Sequence, residues 1–282
     1  KILRTCEIYD PATGTWSYTA NMAKHRAGAN ARLLPDGRVI VTGGSEGNAS
    51  NNLGDISDLL GTSLKTSEIY DPVTDTWVYG PNMSEPKAGA MSVVLNDGRW
   101  MIAGGITYVT IFGLSIPDFS NNISIYNPST NSFNNAGSMK EKRALGAMSV
   151  MGNGSVFIAG GGGGDILNIG PLNDTEVYNP ANNSTTRTAN LSNTAAFPAV
   201  VTLQDGSVFI IGGATGTLDD PLPINKTWAY NPATNSLTAA DDMPEAHAGG
   251  AAVTMDDGTV YLSGGETNNG AATSAARSYS PN

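Results

Sequence analysis

Tyr9-Asp10-Pro11-Ala12-Thr13-Gly14-Thr15-Trp16 returns as Tyr70-Asp71-Pro72-Val73-Thr74-Asp75-Thr76-Trp77. The same opening recurs from Tyr126, Tyr178 and Tyr230, with a stub at Tyr279-Ser280-Pro281-Asn282. A glycine pair follows each full copy: Gly43-Gly44, Gly104-Gly105, Gly160-Gly161, Gly212-Gly213 and Gly264-Gly265. These pairs are spaced by 61, 56, 52 and 52 residues. A repeat of this period is the mark of stacked supersecondary units.

Each unit reads as four strands. The first is small and apolar, as in Ala27–Leu34. A turn follows at Asp36-Gly37, Asp97-Gly98, Asn153-Gly154, Asp205-Gly206 or Asp257-Gly258. Such pairs predict a type I′ hairpin with positive φ at both central residues. The second strand is a continuous apolar run, such as Val208-Phe209-Ile210-Ile211, which suits a strand buried on both faces. The third ends at the repeating Tyr. A proline turn leads to the fourth, marked by Trp16, Trp77, Phe133 or Leu237. The expected fold is all-β: a propeller of four-stranded antiparallel blades, five of them visible.

The motif set, Tyr-Asp/Asn-Pro-x-Thr, then Met, a basic residue, Asp-Gly-x-Val and Gly-Gly, resembles the kelch-repeat family across the whole chain. The resemblance extends to secreted kelch proteins and to the propeller of galactose-oxidase-like enzymes. It implies one propeller domain over residues 1–282, with inner strands starting near residues 27, 88, 144, 197 and 248. The N-terminal strands, within residues 1–20, are expected to complete the blade begun at Ala248 and close the ring. That leaves one strand, around Tyr279, in surplus. Kelch rings often have six or seven blades, and Lys1 begins almost inside a strand pattern, so a fragment of a larger ring is an open alternative.

Composition narrows the partners. The 282 residues hold 15 Lys plus Arg against 25 Asp plus Glu, a formal charge of −10. A nucleic-acid partner calls for the opposite sign. No apolar run approaches the roughly 18 residues of a membrane helix, so no membrane insertion is expected. The lone cysteine, Cys6, has no intrachain disulfide partner.

In an up-and-down blade the long insertions share one face: Ser45–Ser67, Ile106–Asn122, Gly162–Asp174, Ala214–Lys226 and Glu266–Ala276. Loops on a rigid scaffold are where binding concentrates. Arg26, Lys87, Arg143 and His247 occupy one repeat slot, four residues after a Met, at the entry to an inner strand on this face. With Tyr108 and Phe112 of the apolar insertion 106–114 they are the candidate binding residues. That insertion reads either as an exposed interaction patch or as an added strand folded over the ring. Glu7, Glu68 and Glu176 precede the repeat Tyr by two residues and suggest ion pairs with the basic slot. In a unit that opens on this acidic position, however, Arg143 shares a unit with Ser124, and Ala195 with Glu176.

No catalytic residue, metal site or cofactor is expected from the motifs. The resemblance to galactose oxidase implies a copper centre of two histidines and two tyrosines, one crosslinked to cysteine. Against it, Cys6 stands where other units have Ser67, Thr175 or Thr227, and only His25 and His247 are available. Asn-x-Ser/Thr triplets begin at Asn48, Asn82, Asn122, Asn173, Asn182, Asn190 and Asn225, the glycosylation candidates. Others begin at Asn183 and at Asn153, which its hairpin turn already explains. The sequence therefore predicts a secreted, non-catalytic glycoprotein scaffold that binds protein, carbohydrate or copies of itself. A copper-oxidase propeller and an intracellular adaptor are the alternatives.

Overall fold

The computed structural model describes residues 2–47, 62–111, 114–164, 169–268 and 270–280. Four antiparallel four-stranded sheets follow one another along the chain. The first blade comprises Ala27–Leu33, Val39–Ser45, Ser67–Asp71 and Thr76–Tyr79. The second comprises Met91–Val94, Trp100–Ala103, Asn122–Asn127 and Ser132–Ser138. The third comprises Ala147–Val150, Val156–Ala159, Thr175–Asn179 and Ser184–Arg187. The fourth comprises Ala199–Thr202, Val208–Ile211, Thr227–Asn231 and Ser236–Ala239.

Among the described residues, the fifth blade has three strands: Ala251–Thr254, Val260–Ser263 and Ala276–Tyr279. This corrects the expected closure. The third position is taken by Ala276–Tyr279, where Val260 pairs with Tyr279 as Val39 pairs with Tyr70. The stub near Tyr279 carries the same register residue and lies in the adjoining sequence, so it needs no long closure. Among the described residues, the N-terminal strands Glu7–Asp10 and Thr15–Tyr18 pair only with each other, as a separate hairpin.

The repeat motif now has a cause. Tyr70, Tyr126, Tyr178 and Tyr230 lie opposite Trp77, Phe133, Thr185 and Leu237 on the outer strands. Their hydroxyls donate to Asp75, Asn131, Asn183 and Asn235 at 2.8–3.0 Å. Those acceptors sit at φ between 47° and 56°, a conformation that Asn and Asp tolerate best. The Asp-Gly turns differ from the expected type I′. Only the glycine has positive φ, Gly37 N–H donates to Leu34 O, and Leu34 N–H donates to Arg38 O. This is a three-residue turn with a glycine bulge.

The glycine pairs join neighbouring blades. The N–H groups of Gly44, Gly105, Gly161 and Gly213 each donate at 2.8 Å to the carbonyl of the next blade's slot residue: Lys87, Arg143, Ala195 or His247. A Cβ on the preceding glycine would lie 2.1–2.4 Å from that same carbonyl. Only glycine admits so close a backbone approach. Between blades, apolar second strands pack face to face. Phe157 stacks on Tyr230 and Phe209 on Tyr279, with centroids 4.4 and 4.5 Å apart.

Candidate binding face

The hub of the ring is a backbone ladder. Gly89 N–H donates to Gly28 O, Leu145 to Gly89, Phe197 to Leu145 and Gly249 to Phe197, at 2.7–2.9 Å. All five residues have φ between 54° and 71°. At Leu145 and Phe197 this is a strained conformation for a bulky residue. Both side chains pack against a cluster of Ala88, Ile106, Phe119, Ala144, Ala196 and Leu218. The insertions on the loop-rich face thus converge on an apolar plug over the axis.

The apolar insertion forms an added hairpin, Ile106–Ile111 against Leu114–Phe119. Its root is buried, Ile106 bridging to Ala88 and Phe119 pairing with Ile106. Above the root, Tyr108 is half-buried and Val109 is exposed. Phe112 lies outside the described residues. Shorter insertions behave alike: Gly162–Gly163 pairs with Arg143–Ala144 and with Gly170–Pro171, and Ala214 bridges to Ala196.

Arg26, Lys87, Arg143 and His247 are not on offer to a ligand; all four are buried. The reason is the glycine pair. Its kink and the entry of the third strand leave two inward carbonyls, and the slot cation bonds both. Arg26 Nη1 donates to Gly43 O and Thr66 O at 2.6 and 2.9 Å. Lys87 Nζ donates to Gly104 O and Asn122 O at 3.1 and 3.0 Å. Arg143 Nη1 donates to Gly160 O and Asp174 O at 2.7 and 3.0 Å. Arg26 also pairs with Glu68 at 3.0 Å and Arg143 with Glu176 at 2.7 Å, every side chain at 0–1% exposure. Burial pulls the Lys87 ammonium below the usual lysine value, and Glu85, 2.9 Å away, opposes the shift.

The true blade starts at the slot, so Arg143 and Glu176 share one, as do Ala195 and Trp228. Where the cation is missing, the acid is replaced too. In the fifth blade His247 faces Arg277, which donates to Nε2 at 3.4 Å and pairs with Glu245. The sequence contained this compensation, but a frame that opens on the third strand hid it.

The sequons divide by exposure. Asn82, Asn182 and Asn190 are exposed. Asn173 and Asn225 are half-buried, and their amides donate to Leu191 O and Met243 O, both at 3.2 Å. Asn122 is half-buried within a strand, its Oδ1 accepting from Ser124. Asn48 lies outside the described residues. His25 and His247 belong to the first and fifth blades, and no group of three His, Cys, Asp or Glu is poised for a metal among the described residues. Cys6, His25 and His247 belong to no such group. Burial raises the Cys6 thiol above its ordinary value. Among the described residues, no helix is long and apolar enough to cross a membrane.

Comparison with known proteins agrees with this architecture. The kelch motif matches residues 34–84. Spermatocyte protein spe-26 of Caenorhabditis elegans is 26% identical over 80% of this chain and 35% of its own length. Galactose oxidase of Gibberella zeae is 23% identical over 92% of this chain and 37% of its own. The chain thus spans little more than a third of these relatives. The solved structure titled "Structure of YjhT" superposes with a TM-score of 0.70 at 16% identity, covering 93% of this chain and 84% of that one. With five copies of one blade motif, shared glycine junctions and these relatives, the chain is a kelch-repeat β-propeller.

Proposed function

We propose that this chain is a non-catalytic, secreted scaffold that binds a protein or carbohydrate partner through its loop-rich face. The hairpin over residues 106–119 carries the reading. Its root is locked into the hub plug, while Val109 is 40% exposed. An apolar side chain exposed on a hairpin with an anchored root presents contact area at little ordering cost. Kelch-repeat proteins generally bind proteins. Exposed sequons at Asn82, Asn182 and Asn190 support glycosylation, and so a secretory route. Self-assembly would use the edge of Ala276–Tyr279, which has no further strand beside it among the described residues.

The test is a glycan and secreted-protein array probed with wild type and with Val109→Asp. Binding that Val109→Asp weakens supports the reading; binding that it leaves unchanged places the contact elsewhere. A second reading, the propeller portion of a copper oxidase, rests on the match to galactose oxidase over 92% of the chain. Copper analysis of the natural protein by electron paramagnetic resonance tests it, and a type 2 copper signal would favour it.

A further inference from the structure

Blade repetition separates what the fold requires from what it does not. The outer strand holds the exposed pair Val78-Tyr79 in the first blade. The same positions hold Asn134-Asn135, Thr186-Arg187 and Thr238-Ala239 in the next three, also exposed. Val78 is 56% exposed and Tyr79 65%. The turn before the strand shows the same contrast: Val73, 91% exposed, stands where the other blades have Ser129, Ala181 and Ala233. Three blades fold with polar or small residues at these positions, so packing does not call for the apolar ones.

The main chain beside them is open. Gly80 N–H donates to Ser67 O at 2.9 Å. The register continues with Ile69 opposite Val78 and Asp71 opposite Thr76. Antiparallel ladders alternate bonded and non-bonded pairs. Thr76, Val78 and Gly80 therefore bond inward. Trp77 and Tyr79 turn their N–H and C=O groups outward, where no strand pairs with them among the described residues. The start of the strand is fixed. The Trp77 indole N–H donates to Ala20 O, and Asp75 accepts from Ala20 N–H and the Tyr70 hydroxyl, all at 2.9 Å. Edges of this kind are normally blunted. The second blade breaks the register of its outer strand with a bulge, where Gly137 has a φ of 92°. The third ends on Arg187, paired with Glu141 and Asp174. Thr76–Tyr79 has neither a bulge nor a charge.

We infer that Thr76–Tyr79 is a second interaction surface, which takes up an extended segment of a partner protein as a fifth strand of the first blade. The free groups specify the occupant. Outward N–H and C=O groups on alternate residues are the complement of another strand's backbone. Val78 and Tyr79 lie on opposite faces of the sheet, so the segment carries apolar residues at successive positions. Its charge follows from the chain's own −10: neutral or basic flanks are favoured, and a second copy of the chain is repelled. The surface lies on the rim of the ring and does not depend on the reading given for the loop-rich face.

The probe is the fluorescent peptide Lys-Thr-Val-Tyr-Val-Thr-Lys, titrated into the 282-residue chain. The expected result is saturable binding by anisotropy. Hydrogen-exchange protection is gained at the Trp77 and Tyr79 amides and not at Val78, which already bonds inward. Val78→Thr with Tyr79→Arg copies the third blade. It is expected to weaken binding about tenfold or more, through lost apolar contact, with the melting midpoint unchanged. No binding, binding that leaves the Trp77 and Tyr79 amides exchanging as before, or binding indifferent to the double variant overturns the inference. So does a dimer of the chain that protects the same amides and that the peptide does not displace, because a second copy would then hold the edge. Binding lost on Val109→Asp with the edge intact also overturns it, since the peptide would then sit on the loop-rich face.

Discussion

Glu176→Ala isolates the force that the slot cation exerts on a blade. Arg143 and Glu176 are both 0% exposed, and the carboxylate also accepts from the Lys140 and Glu141 amides at 2.6 and 3.0 Å. The substitution leaves a guanidinium inside the ring with two carbonyl acceptors and no anion, and strips two amides of their acceptor. Removing one partner of a buried pair costs about 3–5 kcal/mol. At about 2–4 °C per kcal/mol for a domain of this size, the melting midpoint falls by roughly 10 °C.

The fourth blade supplies the rescue. There Ala195 and Trp228 hold the two positions, with Trp228 at 2% exposure and its indole N–H donating to Ser192 Oγ at 3.0 Å. Arg143→Ala with Glu176→Trp therefore replaces charge by bulk. Lys140 stands where the fourth blade has Ser192, so the indole lacks its acceptor, a cost of about 1–3 kcal/mol. Adding Lys140→Ser restores it. Each of Arg143→Ala and Glu176→Trp alone is expected to destabilise by several kcal/mol, and the triple variant to return within about 1–2 kcal/mol of wild type. Calorimetry and denaturant titration measure this. If the triple variant is as unstable as the summed singles, the two pairs are not interchangeable solutions of one junction and the reasoning fails.

Gly212→Ala places a Cβ 2.2 Å from His247 O, whereas Gly264→Ala meets open space, although both residues have positive φ, 59° and 68°. Both pay the left-handed strain of about 1–2 kcal/mol, so a markedly lower midpoint for Gly212→Ala alone measures the blade junction. Leu145→Gly relieves a φ of 58° but empties part of the hub plug; the cavity term of about 2–5 kcal/mol outweighs the strain and the variant is expected to melt earlier. Glycopeptide mapping of the natural protein is expected to find Asn82 and Asn190 occupied, with Asn173 and Asn225, whose amides point inward, unmodified. Asp205 is held below the ordinary carboxylate value by the Ser207 hydroxyl and backbone N–H. A lowered folded value stabilises above the ordinary range near 3.9 and is lost as pH falls through it. Asp205→Asn, which copies Asn153, is thus expected to show a shallower acid loss of stability than wild type, by thermal melts across pH 2–6.

What the sequence revealed and what it hid follow from one distinction. Local chemistry repeats with the chain: the bond from Tyr to an Asp or Asn five residues on recurs in the first four blades, so the motif announces the turn, the strand and its register together. Junction chemistry does not. Gly161 N–H donates to the carbonyl of Ala195 in the next blade, and the partner of Arg143 is Glu176, beyond the glycine pair. A frame that opens on the third strand, two residues ahead of the Tyr, cuts through the middle of each blade and separates these pairs. That is why a buried cation reads in sequence as a surface ligand, and why the Ala195–Trp228 exchange passes for a broken repeat. The ring's closure was hidden for the same reason. A glycine pair at Gly264-Gly265 looks in sequence like any other, and only the space beside it, where four others meet a carbonyl, shows that the junction it is built for is unmade.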